Sequence, residues 1–221
     1  MDVALLPLPP AWQAASAALA LALLATCAWR APWRCLRDGP TVHVLSGGVV
    51  ALAVLWSVRA ALPHGIVIHL LGTAALSLMV GAPLGLLGGA MVAAVACGVH
   101  GTPWVAAPAE FLVGVAIPVL VTHAILRLSQ RVLPPNFFVY VFVACFFGAA
   151  LGSLLAGLAG AAAFAATGVV PADVMMGEYA PYLVFLAFGE GTLTGMALTL
   201  AVVYRPDWVA TFDDAFYIDG R

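Results

Sequence analysis

Apolar residues fall along this chain in blocks of roughly 20, the number of helical residues that crosses a hydrocarbon core, separated by short clusters of Arg, Pro and Gly. The first block runs from about Ala11, after Pro7, Pro9 and Pro10, to Trp29, and Arg30, Arg34 and Arg37 follow it at once. The second runs from about His43 to Leu62 and carries Arg59 near its far end. A third starts at Gly65 and stops at the turn signal Gly81-Ala82-Pro83, after which a fourth continues to about Val99. Beyond a loop from His100 to Pro108, a fifth block reaches Leu126, and Arg127, Arg131 and Pro134-Pro135 make the next loop. The sixth is long, from about Asn136 to Gly168. A short acidic loop with Asp173 and Glu178 leads to the seventh, from about Tyr182 to Tyr204. The pattern predicts an all-α polytopic membrane helical bundle of about seven transmembrane helices.

The arginines orient it. Threaded N-out and C-in, the chain places Arg30, Arg34, Arg37, Arg127, Arg131, Arg205 and Arg221 on one side, and only Arg59 on the other, beside Asp2, Asp173 and Glu178. The positive-inside bias makes the basic side cytoplasmic, in a prokaryotic cell membrane, the inner one if the cell is Gram-negative. Residues 1–221 then form a single integral membrane domain whose polar tail, 205–221, is cytoplasmic.

Composition agrees and removes several classes. A chain of 221 residues that is 64% hydrophobic and 8% charged, with mean hydropathy +1.10, has more apolar surface than a soluble globule can cover. A formal net charge of -2 offers no basic stripe for nucleic acid. There is no lysine, which excludes a G-x-x-x-x-G-K phosphate loop, so ATP that drives any transport must be hydrolysed by another subunit. Cys27, Cys35, Cys97 and Cys145 show no C-x-x-C spacing, and no serine sits in a G-x-S-x-G context; the chain reads as a non-enzyme. Met1-Asp2 lacks the basic start of a signal peptide, so the first apolar block is expected to be a retained span.

Small residues recur at spacings that let helices touch: Ala14, Ala18 and Ala22 in the first block, and the G-x-x-x-G pairs Gly85/Gly89, Gly148/Gly152 and Gly191/Gly195. Internal packing explains them all; the alternative for the alanine stripe is docking of a partner membrane subunit.

The polar residues sort by depth. His64 precedes the third block, His69 lies one turn inside it, His100 ends the fourth, Glu110 opens the fifth and Arg59 closes the second. These come from different helix ends yet share one membrane level. Two or three imidazoles with a carboxylate suit a borderline divalent ion such as Ni, Co, Cu or Zn. The competing reading has each His satisfying a local backbone group and Arg59 neutralising Glu110. His43 and His123, near the inner helix ends, could ligate a haem or cap helices. Glu190, deep in the seventh block, either binds a cation in transit or locks its helix through a hydrogen bond. Met175-Met176 beside Glu178 could receive a soft metal outside.

Two stretches carry a family resemblance. His69-Leu70-Leu71-Gly72, followed by the Gly81-Ala82-Pro83 turn, is similar to the G-x-S-G-H-L-L-G and G-P motifs of the CbiM family. Gly189-Glu190-Gly191-Thr192-Leu193-Thr194-Gly195, followed by Arg205-Pro206-Asp207, resembles that family's G-E-G-x-I-T-G and R-P-D ending. CbiM proteins are substrate-capture membrane subunits of energy-coupling-factor importers for cobalt and nickel. The resemblance implies a permease subunit with no permanent cofactor, whose cargo is a divalent metal ion. It implies a transmembrane coupling subunit and cytoplasmic ATPase subunits as partners in the lipid bilayer. The family captures its metal with an N-terminal Met-His and the His of H-L-L-G; here the chain reads Met1-Asp2-Val3, so His69 alone carries over as a ligand. His100 and Glu110 are the candidates to supply what Met-His supplies elsewhere. Glu190, Arg59 and Thr194 are candidates for structural roles or for the transport path. The alternatives from other classes are a haem-binding electron carrier and a non-transporting assembly subunit.

Overall fold

The computed structural model describes residues 8–62, 66–168 and 171–218. Pro9 is extended and Pro10 opens α1, Pro10–Arg30, at the position where a missing N–H costs nothing. A short turn α2, Cys35–Asp38, leads to α3, Thr41–Ser57. Two strands, β1 (Ala60–Ala61) and β2 (Val67–Ile68), pair antiparallel with Ala60 opposite Ile68. Then come α4, Thr73–Val80, and α5, Ala82–His100. Three long helices complete the bundle: α6, Trp104–Val132; α7, Phe137–Thr167; and α8, Ala180–Tyr204. A short helix α9, Asp214–Tyr217, closes the described chain. Among the described residues, α1, α5, α6, α7 and α8 are long and apolar enough to cross a membrane, and α3 is a shorter apolar helix.

The all-α bundle and five of the expected spans are as the hydrophobic pattern predicts. The third is different. A helix was expected over 65–81, but the described chain from Ile66 is a strand and then coil, and turns helical only at Thr73. Likewise the second helix stops at Ser57, not Leu62, because Ala60–Ala61 joins the hairpin. The run Ile66-Val67-Ile68 is β-branched throughout and prefers extended backbone. Gly72 is left-handed, φ 64, and sets α4 off from the coil before it. Gly81, φ 86, ends α4 and lets α5 fold back along it.

That return is close. A Cβ built on Gly85 would lie 2.5 Å from Ser77 Cα, so the α4 and α5 backbones touch. Gly89 faces Val115, Gly152 faces Pro118 and Gly191 faces the Phe146 carbonyl, so these spacings serve packing inside the bundle. The α1 stripe does not: Ala14, Ala18 and Ala22 are exposed, and α1 buries only Ala20 and Cys27 among its side chains.

Irregular backbone at membrane depth is tolerated only where protein covers it. Ile66, Ile68, His69, Leu71 and Gly72 are all buried, and α3, α6 and α8 supply the cover. In α6 the helix widens over Leu112–Ala116 just before Pro118. Proline lacks the N–H that would bond the carbonyl four residues back, which is Gly114. Thr73 Oγ1 donates to that Gly114 oxygen at 3.2 Å, fastening the start of α4 to α6.

Candidate functional site

The segment between β2 and α4, His69-Leu70-Leu71-Gly72, carries one polar side chain and the backbone groups that polar side chains of the helices meet. The Leu71 peptide is held on both sides. Its N–H donates to Glu190 Oε1, and its carbonyl accepts the indole N–H of Trp56 at 2.8 Å. The next amide, Gly72, donates to both Glu190 oxygens, at 3.2 and 3.0 Å. The first amides of a helix have no partner within it and carry its positive end, so an anionic acceptor there satisfies both bonding and dipole. Glu190 does this from the middle of α8, 2% exposed.

Two residues before Leu71, His69 is 5% exposed and its ring lies 4.8 Å from that of Trp56, tilted by 54°. Nδ1 is 3.0 Å from the Leu70 carbonyl. A carbonyl can only accept, so Nδ1 carries the hydrogen and Nε2 keeps its lone pair. Nε2 lies 3.9 Å from Glu110 Oε1 and has no hydrogen-bond partner among the described residues. That separation is too long for a hydrogen bond. It is not too long for two ligands of one ion, since donors about 2.1 Å from a metal stand about 3.0 Å apart at a right angle and about 4.2 Å apart when opposite. A neutral imidazole and a carboxylate so placed, 5% and 3% exposed, can hold a desolvated divalent cation.

Gly114 leaves room for this arrangement. A Cβ there would sit 3.1 Å from the Trp56 ring and 3.2 Å from Glu110 Oε1. A small cavity beside the site is lined by His69, Gly114, Ser153 and Tyr179.

The other expected residues are placed as follows. His100 is the last residue of α5, and its Nε2 is buried with no hydrogen-bond partner among the described residues. Among the described residues, no three His, Cys, Asp or Glu side chains converge to hold a metal. Arg59 donates Nε–H to the Trp56 carbonyl at 3.0 Å. Thr194 is fully buried on α8. His64, and the side chains of Met176 and Glu178, lie outside the described residues. Met175 is 4% exposed and belongs to the packing around Tyr179. His43 is exposed on α3, whereas buried His123 turns Nε2 to the Ser77 carbonyl at 3.3 Å. Through that bond His123 caps a carbonyl in the last turn of α4.

Trp56 and Gly114 were not legible as site residues. A tryptophan near a helix end in an apolar chain is ordinarily an interfacial anchor. The one available signal was Pro118, whose missing N–H leaves the Gly114 carbonyl open to an outside donor.

The family model described as the cobalt uptake substrate-specific transmembrane region, CbiM, matches residues 6–208. The chain belongs to the CbiM family. No curated protein and no solved structure matches it. Membership makes it a multi-pass membrane protein of a cobalt-uptake family, and both stretches that resemble CbiM motifs meet at one place. His69-Leu70-Leu71-Gly72 supplies the imidazole and the amides, and Gly189-Glu190-Gly191 supplies the carboxylate that receives those amides.

Proposed function

We propose that this chain is the substrate-capture subunit of an energy-coupling-factor type importer, taking cobalt or nickel from the outer face of the membrane. The observation that carries the reading is the His69 geometry: Nδ1 engaged by Leu70, and Nε2 3.9 Å from Glu110 Oε1. His69 is the principal ligand and Glu110 the second; His100, at the end of α5, would have to move toward them to serve as a third. The whole chain acts as one membrane domain, with its basic loops and the 205–221 tail cytoplasmic. A coupling subunit packs against the exposed Ala14, Ala18 and Ala22 face of α1, and cytoplasmic ATPase subunits drive release.

Calorimetry with Co and Ni tests this on the wild type, His69→Ala and His64→Ala. His69→Ala is expected to lose at least a hundredfold in affinity, roughly 3 kcal/mol, while His64→Ala binds as the wild type does. Equal affinity of His69→Ala and wild type would place the capture site elsewhere.

A further inference from the structure

The C-terminal end of α4 is unusual for a helix inside a bundle. With eight residues, α4 leaves the carbonyls of its last turn without partners in the helix, and Gly81 prevents α5 from continuing it. Three donors from distant parts of the chain reach those oxygens. His123 Nε2 lies 3.3 Å from the Ser77 oxygen, Thr211 Oγ1 donates to Leu78 at 2.7 Å, and the Ala210 N–H donates to Met79 at 2.8 Å. Two of the three belong to the segment that follows α8.

That segment does not trail away from the bundle. Val209, Phe212 and Tyr217 are buried with Leu78, Leu126, Tyr140 and Leu198, so the tail fills the end of the space between α4, α6, α7 and α8. The Tyr140 hydroxyl and Thr211 Oγ1 are 2.7 Å apart, Gln130 Nε2 donates to the Tyr217 hydroxyl at 3.0 Å, and the Phe212 and Tyr217 rings stack 5.1 Å apart. The tail thus closes the end of the bundle opposite His69 and meets the same short helix whose other end leads from it.

The acceptors it covers have a chemistry of their own. Without Thr211 and Ala210, the Leu78 and Met79 carbonyls at the negative end of α4 would be open oxygen donors. Broken helices use such ends to coordinate cations in transit.

We propose that residues 209–217 are a strap over the inner end of α4, and that the strap must lift from α4 before a captured ion can leave. Lifting exchanges the strap's donors for the ion at Leu78 and Met79, so the same oxygens are sealed in the capture state and available in the release state. This rests on the transport reading above, and the test separates the two.

With the four native cysteines replaced, Met79→Cys and Ala210→Cys are oxidised to pin the strap, since a 2.8 Å backbone bond brings the two residues together, and mass spectrometry checks that the disulfide has formed. Oxidised, the pair is expected to bind cobalt in calorimetry within twofold of its reduced form. Cobalt uptake with the coupling and ATPase subunits should fall at least tenfold and return on reduction. Undiminished uptake, or loss of capture, on oxidation overturns the proposal. The strap is also read without transport, by labelling Val209→Cys with a membrane-impermeant maleimide in inside-out vesicles. Thr211→Val should speed labelling at least tenfold and Thr211→Ser should not. Equal rates for all three sink the strap, whereas absence of cobalt binding by the wild type sinks the transport reading and leaves the labelling result standing.

Discussion

At its N-terminal end α4 is met by a carboxylate, Glu190, which takes the Leu71 and Gly72 amides from the middle of a membrane helix. At its C-terminal end it is met by neutral donors, two of them from a tail held by aromatic packing. The helix dipole explains the choice of groups: an anion suits the positive end and N–H or O–H donors suit the negative one. The mounting differs as well. Glu190 belongs to α8, which is 25 residues long, so its backbone is fixed to a span. The tail lies beyond the last span and is held by ring stacking and by hydrogen bonds to Tyr140 and Gln130. One end of α4 is thus held by a residue within a span, and the other by a segment that follows one.

The largest effect in stability should come from forcing α4 and α5 apart. Gly85→Val sets a side chain 2.5 Å from Ser77 Cα, where backbone must move, and is expected to cost about 2–3 kcal/mol. Gly47→Val, whose Cβ meets nothing within 4 Å, is the control and should leave the thermal midpoint in detergent unchanged. Similar midpoints for the two variants would mean that α4 is not clamped to α5.

Glu190→Leu removes the acceptor from two buried amides and should destabilise by about 1–3 kcal/mol. Glu190→Gln keeps one carbonyl oxygen, and should keep the fold and most metal capture. If Gln proves as damaging as Leu, the negative charge itself is needed, and Glu190 moves from helix cap to transport path.

The smallest expected effect separates the ring contact of Trp56 with His69 from its hydrogen bond to Leu71. Trp56→Phe preserves an aromatic face but loses the N–H donated to Leu71, a bond whose loss is typically about 1 kcal/mol. Calorimetry should show cobalt affinity down about fivefold with an unchanged far-ultraviolet spectrum. An unaltered affinity would show that Glu190 alone fixes the Leu71 peptide.

How far the sequence carried these conclusions differs between elements. For α5, α7 and α8 the apolar runs are long, bounded by Pro, Gly or Arg, and the helices fall within a few residues of the pattern's limits. The stretch 65–81 is just as apolar, and hydropathy alone could not distinguish a helix from buried extended chain. Its β-branched Ile66-Val67-Ile68 run was the available sign. At the site, a deep histidine in an apolar chain stood out because burial of an imidazole is costly, and Glu110 stood out as a carboxylate on a first helical turn. Trp56 did not, since nothing local marks an indole whose partner is a carbonyl 15 residues away.

The sequence by itself determined that the chain lies in a membrane, how its long helices are spaced, and that His69 and Glu190 need partners. Those follow from transfer free energies, which each residue carries wherever it sits. Only the tertiary structure decided what the partners are: Leu70 and Glu110 around the His69 ring, the Leu71 and Gly72 amides on Glu190, and Ala210 and Thr211 on the far end of α4. Hydrogen bonds depend on distance and direction between atoms far apart in the chain, and those are fixed only when the helices pack.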